Sequence, residues 1–163
     1  MSTRTHIGKQ VWIATAIPAT NDAAGFEALT WIRVNGFAGG LQLGFEADNI
    51  DIPDIASGIT LGAKGMRSGV DSEMSFRRIQ GGDAGQDALK AAADGCGGEG
   101  GSIKIISADC DSPAEAGDRV QYAQGYFHSF MENAIEEGGY EGATVNFKQN
   151  RPTVEAVEPV APA

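Results

Sequence analysis

Few residues of this 163-residue chain are suited to chemistry. A hydrolytic Ser/His/Asp arrangement would need His128 as its base, because His6 sits in an N-terminal stretch that reads as disordered. His128 lies between Phe127 and Ser129 in a strand-like run, where a histidine ordinarily faces solvent or a satisfied neighbour, and no G-x-S-x-G turn accompanies it. Cys96, Cys110 and the two histidines make no cluster at metal-ligand spacing, and the two thiols, flanking one strand, read as free. Asp109, Asp111, Glu115 and Asp118 crowd a segment with Pro113 and Gly117, but without calcium-loop spacing, so it reads as a solvated turn. No catalytic, cofactor-binding or metal-binding residue is expected.

The run GCGGEGG, residues 95–101, holds five glycines in seven residues, a density seen in phosphate cradles. A cradle needs a helix opening after the loop. Here the glycines precede the strand-like SIKII and follow the helix-like DAGQDALKAAADG, so the order is inverted and a helix-to-strand connection is the reading.

These side chains sit on a chain of a size for one domain with a real core. No apolar run reaches the roughly 18 residues of a membrane helix, and no apolar stretch of a secretory signal follows the basic N-terminal residues. The expectation is a chain made in a cytoplasm, with no membrane partner. The net charge is −10 and uneven: residues 21–60 carry six acids against Arg33 alone, while 61–80 carry Lys64, Arg67, Arg77 and Arg78 against Asp71 and Glu73. Without a basic stripe, tight nucleic-acid binding is disfavoured.

The periodicity is that of strands. Val11, Ile13, Thr15 and Ile17 alternate with Trp12, Ala14 and Ala16, and Ile32 and Val34 flank Arg33. Apolar parity then changes to Leu41, Leu43 and Phe45, which implies a glycine turn or bulge over Gly36–Gly40. In GVDSEMSFRR, Val70, Met74 and Phe76 face one way and Asp71, Glu73, Ser75 and Arg77 the other. Further strands are expected at Ile103–Ser107, at Arg119–Met131 with Val120, Tyr122, Tyr126 and Phe130 on one side, and at Ala143–Gln149. A helix over about 83–94 starts at Asp83 with Gln86 completing a capping box, shows Leu89, Ala92 and Ala93 on one face, and stops at Gly95. A shorter helical turn is expected over Asp22–Leu29. The fold class is mainly β: an antiparallel sandwich or half-barrel with one flanking helix.

Between these elements lies a connection of about twenty residues, DNIDIPDIASGITLGAKGMR, Asp48 to Arg67. Connections of this length are usually functional or disordered. Ile50, Ile52, Ile55, Ile59 and Leu61 argue against disorder, since a solvated loop gains nothing from them. The reading is an arm or hairpin that orders against another copy of the chain. Residues 151–163 read as a short strand extension followed by a mobile tail.

Several of these segments, in this order, carry a resemblance. ATAIPATNDAAGFEALTWIRVNGF, SGVDSEMSFRR ahead of GGDAGQDALKAAADG, a strand containing GYFHSF, and a last strand ending NRPTVEAV together resemble the major tail tube proteins of long-tailed, siphovirus-type bacteriophages. The resemblance implies a single tail-tube domain over residues 1–150, a structural rather than enzymatic role, and hexameric rings that stack into the tube through which DNA leaves the capsid. It implies as partners other copies of the chain, the tape measure, the tail terminator and the distal tail protein, with transient passage of DNA, in a virion tail assembled in the host cytoplasm. Residues 48–67 correspond to the loop by which such subunits reach their neighbours. A basic lumen would hold DNA, with its charge every 1.7 Å or so of axis, at each step. Acids and neutral polar residues are therefore expected along the channel, and Asp71, Glu73 and Arg77 are candidates for the lumen or a ring-to-ring contact.

Overall fold

In the computed structural model, residues 4–96, 100–110 and 113–159 are described. The chain runs β1 (Lys9–Ala14), α1 (Ala23–Glu27), β2 (Ile32–Val34), β3 (Phe37–Gly39), β4 (Phe45–Asp54), β5 (Ile59–Gly69), β6 (Asp71–Arg77), α2 (Ala84–Asp94), β7 (Gly101–Ser107), β8 (Arg119–Glu132), β9 (Gly142–Gln149) and β10 (Val154–Val157). One antiparallel sheet takes the order β2-β1-β7-β8-β9-β6-β3, and β10 pairs with the first part of β8, beyond the reach of β9. Its two end strands, β2 and β3, are joined through Asn35 and Gly36 alone, so the sheet must curl until its edges approach each other. Gly36 makes that passage in the left-handed region (φ 79°), and its carbonyl accepts the Arg77 N–H at 2.8 Å. The bulge expected over Gly36–Gly40 is a register shift between Phe37 and Gly39.

The curled sheet encloses a first apolar layer. Val11, Ile13, Met74, Ile103, Ala123, Val145 and Phe147 point into it, and α2 lays Leu89 and Ala92 against it. Asp83 caps α2 by accepting the Gln86 N–H at 3.1 Å. The capping box is only half made, because the Gln86 amide instead donates to the carbonyls of Asn35 (2.7 Å) and Arg77 (2.9 Å), tying the helix to the sheet closure. The connection from α2 to β7 keeps the expected helix-to-strand order; Gly97, Gly98 and Glu99 lie outside the described residues.

A second layer covers the opposite face where β1, β7 and β8 lie side by side. Trp12, Ile106, Val120 and Tyr122 of the sheet meet Phe26 of α1, with Trp31, Val154 and Ala156 packed around them. Central strands buried on both sides explain why β7 is buried throughout, although its sequence alternates weakly. Three expectations change here. Leu41 and Leu43 pack on the first layer as extended chain outside any ladder, after Gly39 and Gly40 turn with positive φ. On β8, Tyr126 is 41% exposed, and Phe130 joins the first layer rather than the side of Tyr122, because a bulge between His128 and Met131, with Ser129 at φ 57°, shifts the parity. The N-terminal stretch is held from residue 4 onward: Arg4 donates to the Ser107 carbonyl at 2.8 Å, and a turn brings the Lys9 N–H to the His6 carbonyl.

Within the second layer Trp12, Lys104 and Tyr122 are register neighbours on three adjacent strands. Lys104 is buried with Nζ 2.9 Å from the Glu158 carboxylate, and it lies over the rings of Trp12 and Trp31 at 5.5 and 5.8 Å. Glu158 reaches this place because its own N–H and C=O bond Asp118 O and Gly117 N, so the strand extension leads into a buried latch; the tail expected beyond it falls on residues 160–163, which lie outside the described residues. Removing one partner of a buried ion pair leaves an uncompensated charge, whereas replacing both with apolar groups is often neutral. Lys104→Met should cost about 3–5 kcal/mol in urea unfolding, and the double variant Lys104→Met/Glu158→Leu should recover most of it. The Tyr122 hydroxyl is fully buried and has no hydrogen-bond partner among the described residues, and burial, with Glu158 and then Glu27 nearby, pushes its phenol well up. A raised native pKa stabilises fully below the unfolded value of 10.0 and loses that contribution as pH climbs beyond it. Tyr122→Phe should therefore be neutral or stabilising at pH 7 and flatten the loss of stability above pH 10, as measured by urea midpoints at both pH values.

Candidate assembly surface

The connection expected as an arm is a β-hairpin, β4 against β5, forming a two-stranded sheet of its own. Pairing sets its faces: Ile50 opposes Ala63, Ile52 opposes Leu61 and Asp54 opposes Ile59, so Ile50, Ile52, Ile59, Leu61 and Ala63 share one side. Asn49, Asp51 and Pro53 share the other with Lys64, Gly62 and Thr60. Among the described residues the aliphatic side has no cover, with Ile50, Ile52, Ile59 and Leu61 each about half exposed. Ile55 belongs to the tip and is 95% exposed. The tip is shaped by Asp54, which accepts the Ser57 hydroxyl at 2.6 Å and the Ala56 N–H at 3.1 Å, bonds that hold its carboxyl below the usual carboxylate range.

A clamp at the root aims this arm. The Val70 N–H bonds the Gly44 carbonyl at 3.0 Å, and the Gln149 N–H bonds the Val70 carbonyl at 3.2 Å. The buried Gln149 amide accepts from Gly44 N–H at 2.9 Å and donates to Arg151 O and Thr153 Oγ1. Lys148 adds a bond of 2.6 Å to the Gly69 carbonyl.

The polar side of β6 continues across β9 and β8. Asp71 pairs with Lys148 and Lys148 with Tyr126; Glu73 pairs with Asn146 and Asn146 with His128. Asp71, Glu73 and Arg77 thus lie on one wet face, as expected, and apart from the hairpin isoleucines. That face also holds Lys148, so it is mixed in charge rather than acidic. His128 Nε2 lies 3.0 Å from an Asp71 oxygen, and its Nδ1 lies 2.7 Å from Ser129 Oγ. These three side chains have the hydrogen-bond order of a hydrolytic relay, but they lie open on a strand face, and none of them lines the groove described next.

That groove, of about 490 Å³, runs between α2 and the β8–β9 connection. Phe76, Leu89, Phe130 and Val145 form its floor, Lys90 stands on the helix wall above the Phe130 ring at 5.3 Å, and Glu132 and Glu136 stand on the opposite wall. Ile135 and Tyr140, both well exposed, line it from the connection. Among the described residues no group of three or more His, Cys, Asp or Glu is placed to hold a metal ion. Cys96 and Cys110 are exposed free thiols.

No protein-family model matches the sequence, and no curated protein matches it significantly. Solved structures do match. A chain in the cryo-EM structure of the anti-feeding prophage baseplate aligns with TM-score 0.64 at 8% identity, over 98% of this chain and 99% of that one. A chain in the structure of the sheath/tube terminator of an extracellular contractile injection system, in its extended state, aligns with TM-score 0.61 at 9% identity, over 96% and 97%. The likeness is one of fold.

The hairpin was legible from its stranded isoleucines; the groove was not. Its floor comes from β6, α2, β8 and β9, distant in sequence, and only exposed Ile135 and Tyr140 in the glutamate-rich connection mark it locally. Gln149 and Lys148 read as ordinary strand residues, with nothing in their neighbours to mark a clamp. Since the aliphatic face packs on no other element among the described residues, Leu61→Asn should lower the stability of the isolated subunit by less than about 1 kcal/mol, the scale of one cross-strand pair. A loss above about 2 kcal/mol in urea unfolding would mean that the face is packed internally.

Proposed function

We propose that the chain is a structural subunit of a tail-type delivery assembly, in which copies join side by side into rings and rings stack into a tube. The uncovered aliphatic face of the β4–β5 hairpin carries this reading. A monomer gains nothing by holding four half-exposed aliphatic side chains on one face of a rigid, root-clamped arm, whereas a subunit that buries them on a neighbour does. The fold shared with chains of two contractile injection assemblies supports the same reading, as do the tail-tube motifs of the sequence.

In its full form the proposal is six copies to a ring, contacts through Ile50, Ile52, Ile55, Ile59 and Leu61, and a polar face with Asp71, Glu73 and Arg77 turned to the lumen or to the next ring. Its partners are further copies, a tape measure, a tail terminator and a distal tail protein. The particle is a virion tail or a tail-like device, put together in the host cytoplasm. This role asks for no catalytic group. The sequence leaves two rivals, a tube-forming protein of a bacterial secretion system and a small ligand-binding β-barrel; the barrel finds less support, because the space inside the sheet is filled by Ile13, Met74, Ile103, Val145 and Phe147, all fully buried. A second reading has one specific observation in its favour: both neighbours come from contractile systems, which points to a terminator or baseplate position in such a device rather than to the shaft of a siphovirus tail.

Negative-stain electron microscopy of the purified chain, with mass measurement in solution, tests the proposal. Long hollow tubes indicate a shaft subunit; closed rings that do not stack indicate a terminator or baseplate position. A monomer at high concentration under all conditions tried would sink both. In a chain that assembles, deletion of Ile50–Leu61 should abolish assembly while leaving a folded subunit.

A further inference from the structure

Asn35 and Gly36 are the whole of the joint between β2 and β3, where the curled sheet closes, and they are also the one Asn–Gly pair in the chain. We propose that Asn35 is a site of spontaneous deamidation, and that its product unfastens α2 from the closure. Packing dictates this dipeptide. Gly36 stands at φ 79°, and a Cβ on it would lie 2.5 Å from the Arg77 carbonyl oxygen, so only glycine fits there. Position 35 is held as a donor: the Asn35 N–H and Nδ2 reach the two oxygens of Asp83 at 3.3 and 2.8 Å, while the Asn35 carbonyl accepts the Gln86 amide at 2.7 Å. The joint therefore sets a side-chain amide directly before a backbone nitrogen that no Cβ shields.

The reaction is intramolecular. The Gly36 nitrogen, which donates no hydrogen bond among the described residues, attacks Asn35 Cγ; a five-membered imide closes, and the side-chain NH2 leaves as ammonia with the proton of the Gly36 N–H. Water then opens the ring at either carbonyl and leaves aspartate or isoaspartate at position 35. Closure of such a ring draws its rate from proximity, and Asn35 is exposed, so water reaches the imide. The surroundings penalise the product. Asp83 also caps α2 by accepting the Gln86 N–H at 3.1 Å, so one carboxylate serves helix and joint together. Aspartate at 35 sets a second carboxylate where the donor stood, and like charges at that distance repel. Isoaspartate lengthens the main chain by one carbon and displaces the carbonyl that receives Gln86. Because α2 lays Leu89 and Ala92 on the first core layer, loosening at its cap reaches the core.

Ageing the folded full chain at mildly alkaline pH tests this, with mass spectrometry of the tryptic peptide that runs from Val34 to Lys64. That peptide also holds Asn49, which precedes isoleucine and serves as an internal control. Asn35 should convert to the acid at least about tenfold faster than Asn49, and the urea midpoint of the aged protein should fall in step with the converted fraction. Asn35→Ser, which keeps a donor for Asp83 and has no amide to lose, should hold its midpoint through the same ageing. Asn35→Asp should exchange the amide hydrogens in the first turn of α2 at least about tenfold faster than the fresh parent protein. Conversion at Asn35 no faster than at Asn49 would show that the bonds to Asp83 protect the amide, and would overturn the site. Fast conversion with an unchanged midpoint, and with Asn35→Asp exchanging like the parent, would overturn the unfastening of α2.

Discussion

An arm whose aliphatic face is left uncovered has its direction set at its root, and here the root centres on one side chain. Gln149, buried at the end of β9, spends its carboxamide in two directions: its oxygen takes the Gly44 N–H, where the arm leaves, and its nitrogen reaches Arg151 and Thr153, where the chain turns toward β10. The arm and the C-terminal extension are therefore fastened to the same residue. A buried carboxamide with its partners met is rigid, since each bond lost would leave a polar atom dry. Lys148 reinforces the other strand of the arm through the Gly69 carbonyl, and in doing so it draws a positive charge from the wet face toward the root. The position of the aliphatic strip thus depends on β9, the strand that also supplies Val145 and Phe147 to the first core layer.

Much of this architecture was legible because strand alternation is a local property. GVDSEMSFRR declares both its faces within one strand, and the structure buries Ser72, Met74 and Phe76 while leaving Asp71, Glu73 and Arg77 wet. The arm was legible for the complementary reason: isoleucines at 50, 52, 55 and 59 fit no solvated loop, and pairing turns three of them, with Leu61, into a strip. What stayed hidden is what depends on partners remote in sequence. Lys104 gives the strand SIKII a weak outward alternation, yet the side chain is buried because Glu158, 54 residues away, meets it between two tryptophans. The single positive-φ serine on β8 is equally silent in sequence, and it moves Phe130 from one layer to the other.

The second core layer explains why a sheet of this kind can carry a projecting arm at all. A curled sheet with one buried face leaves its outer surface to solvent, and strand edges and apolar outer positions are then free to pair unspecifically. Here the outer face over β1, β7 and β8 is closed by α1, Trp31 and β10, and the latch at Glu158 keeps β10 in place. Most of the exposed large hydrophobic side chains thereby stand on the arm or beside the groove, with Ile7, Ile17 and Val157 among those elsewhere. The mixed polar face of β6, β9 and β8 stays available between them.

That division bears on how a subunit of this shape can assemble without clumping. An aliphatic strip on a free arm is an aggregation hazard if any apolar surface satisfies it. The register narrows the choice, because it keeps Asp54 on the same face as the isoleucines and turns Asp51 and Lys64 to the other, so a surface that takes the strip must also meet a carboxylate. A net charge of −10 adds a general repulsion between copies, against which any chance apolar contact has to work. Specificity in such a device then comes from the charge set among the isoleucines, and the affinity comes from the isoleucines themselves.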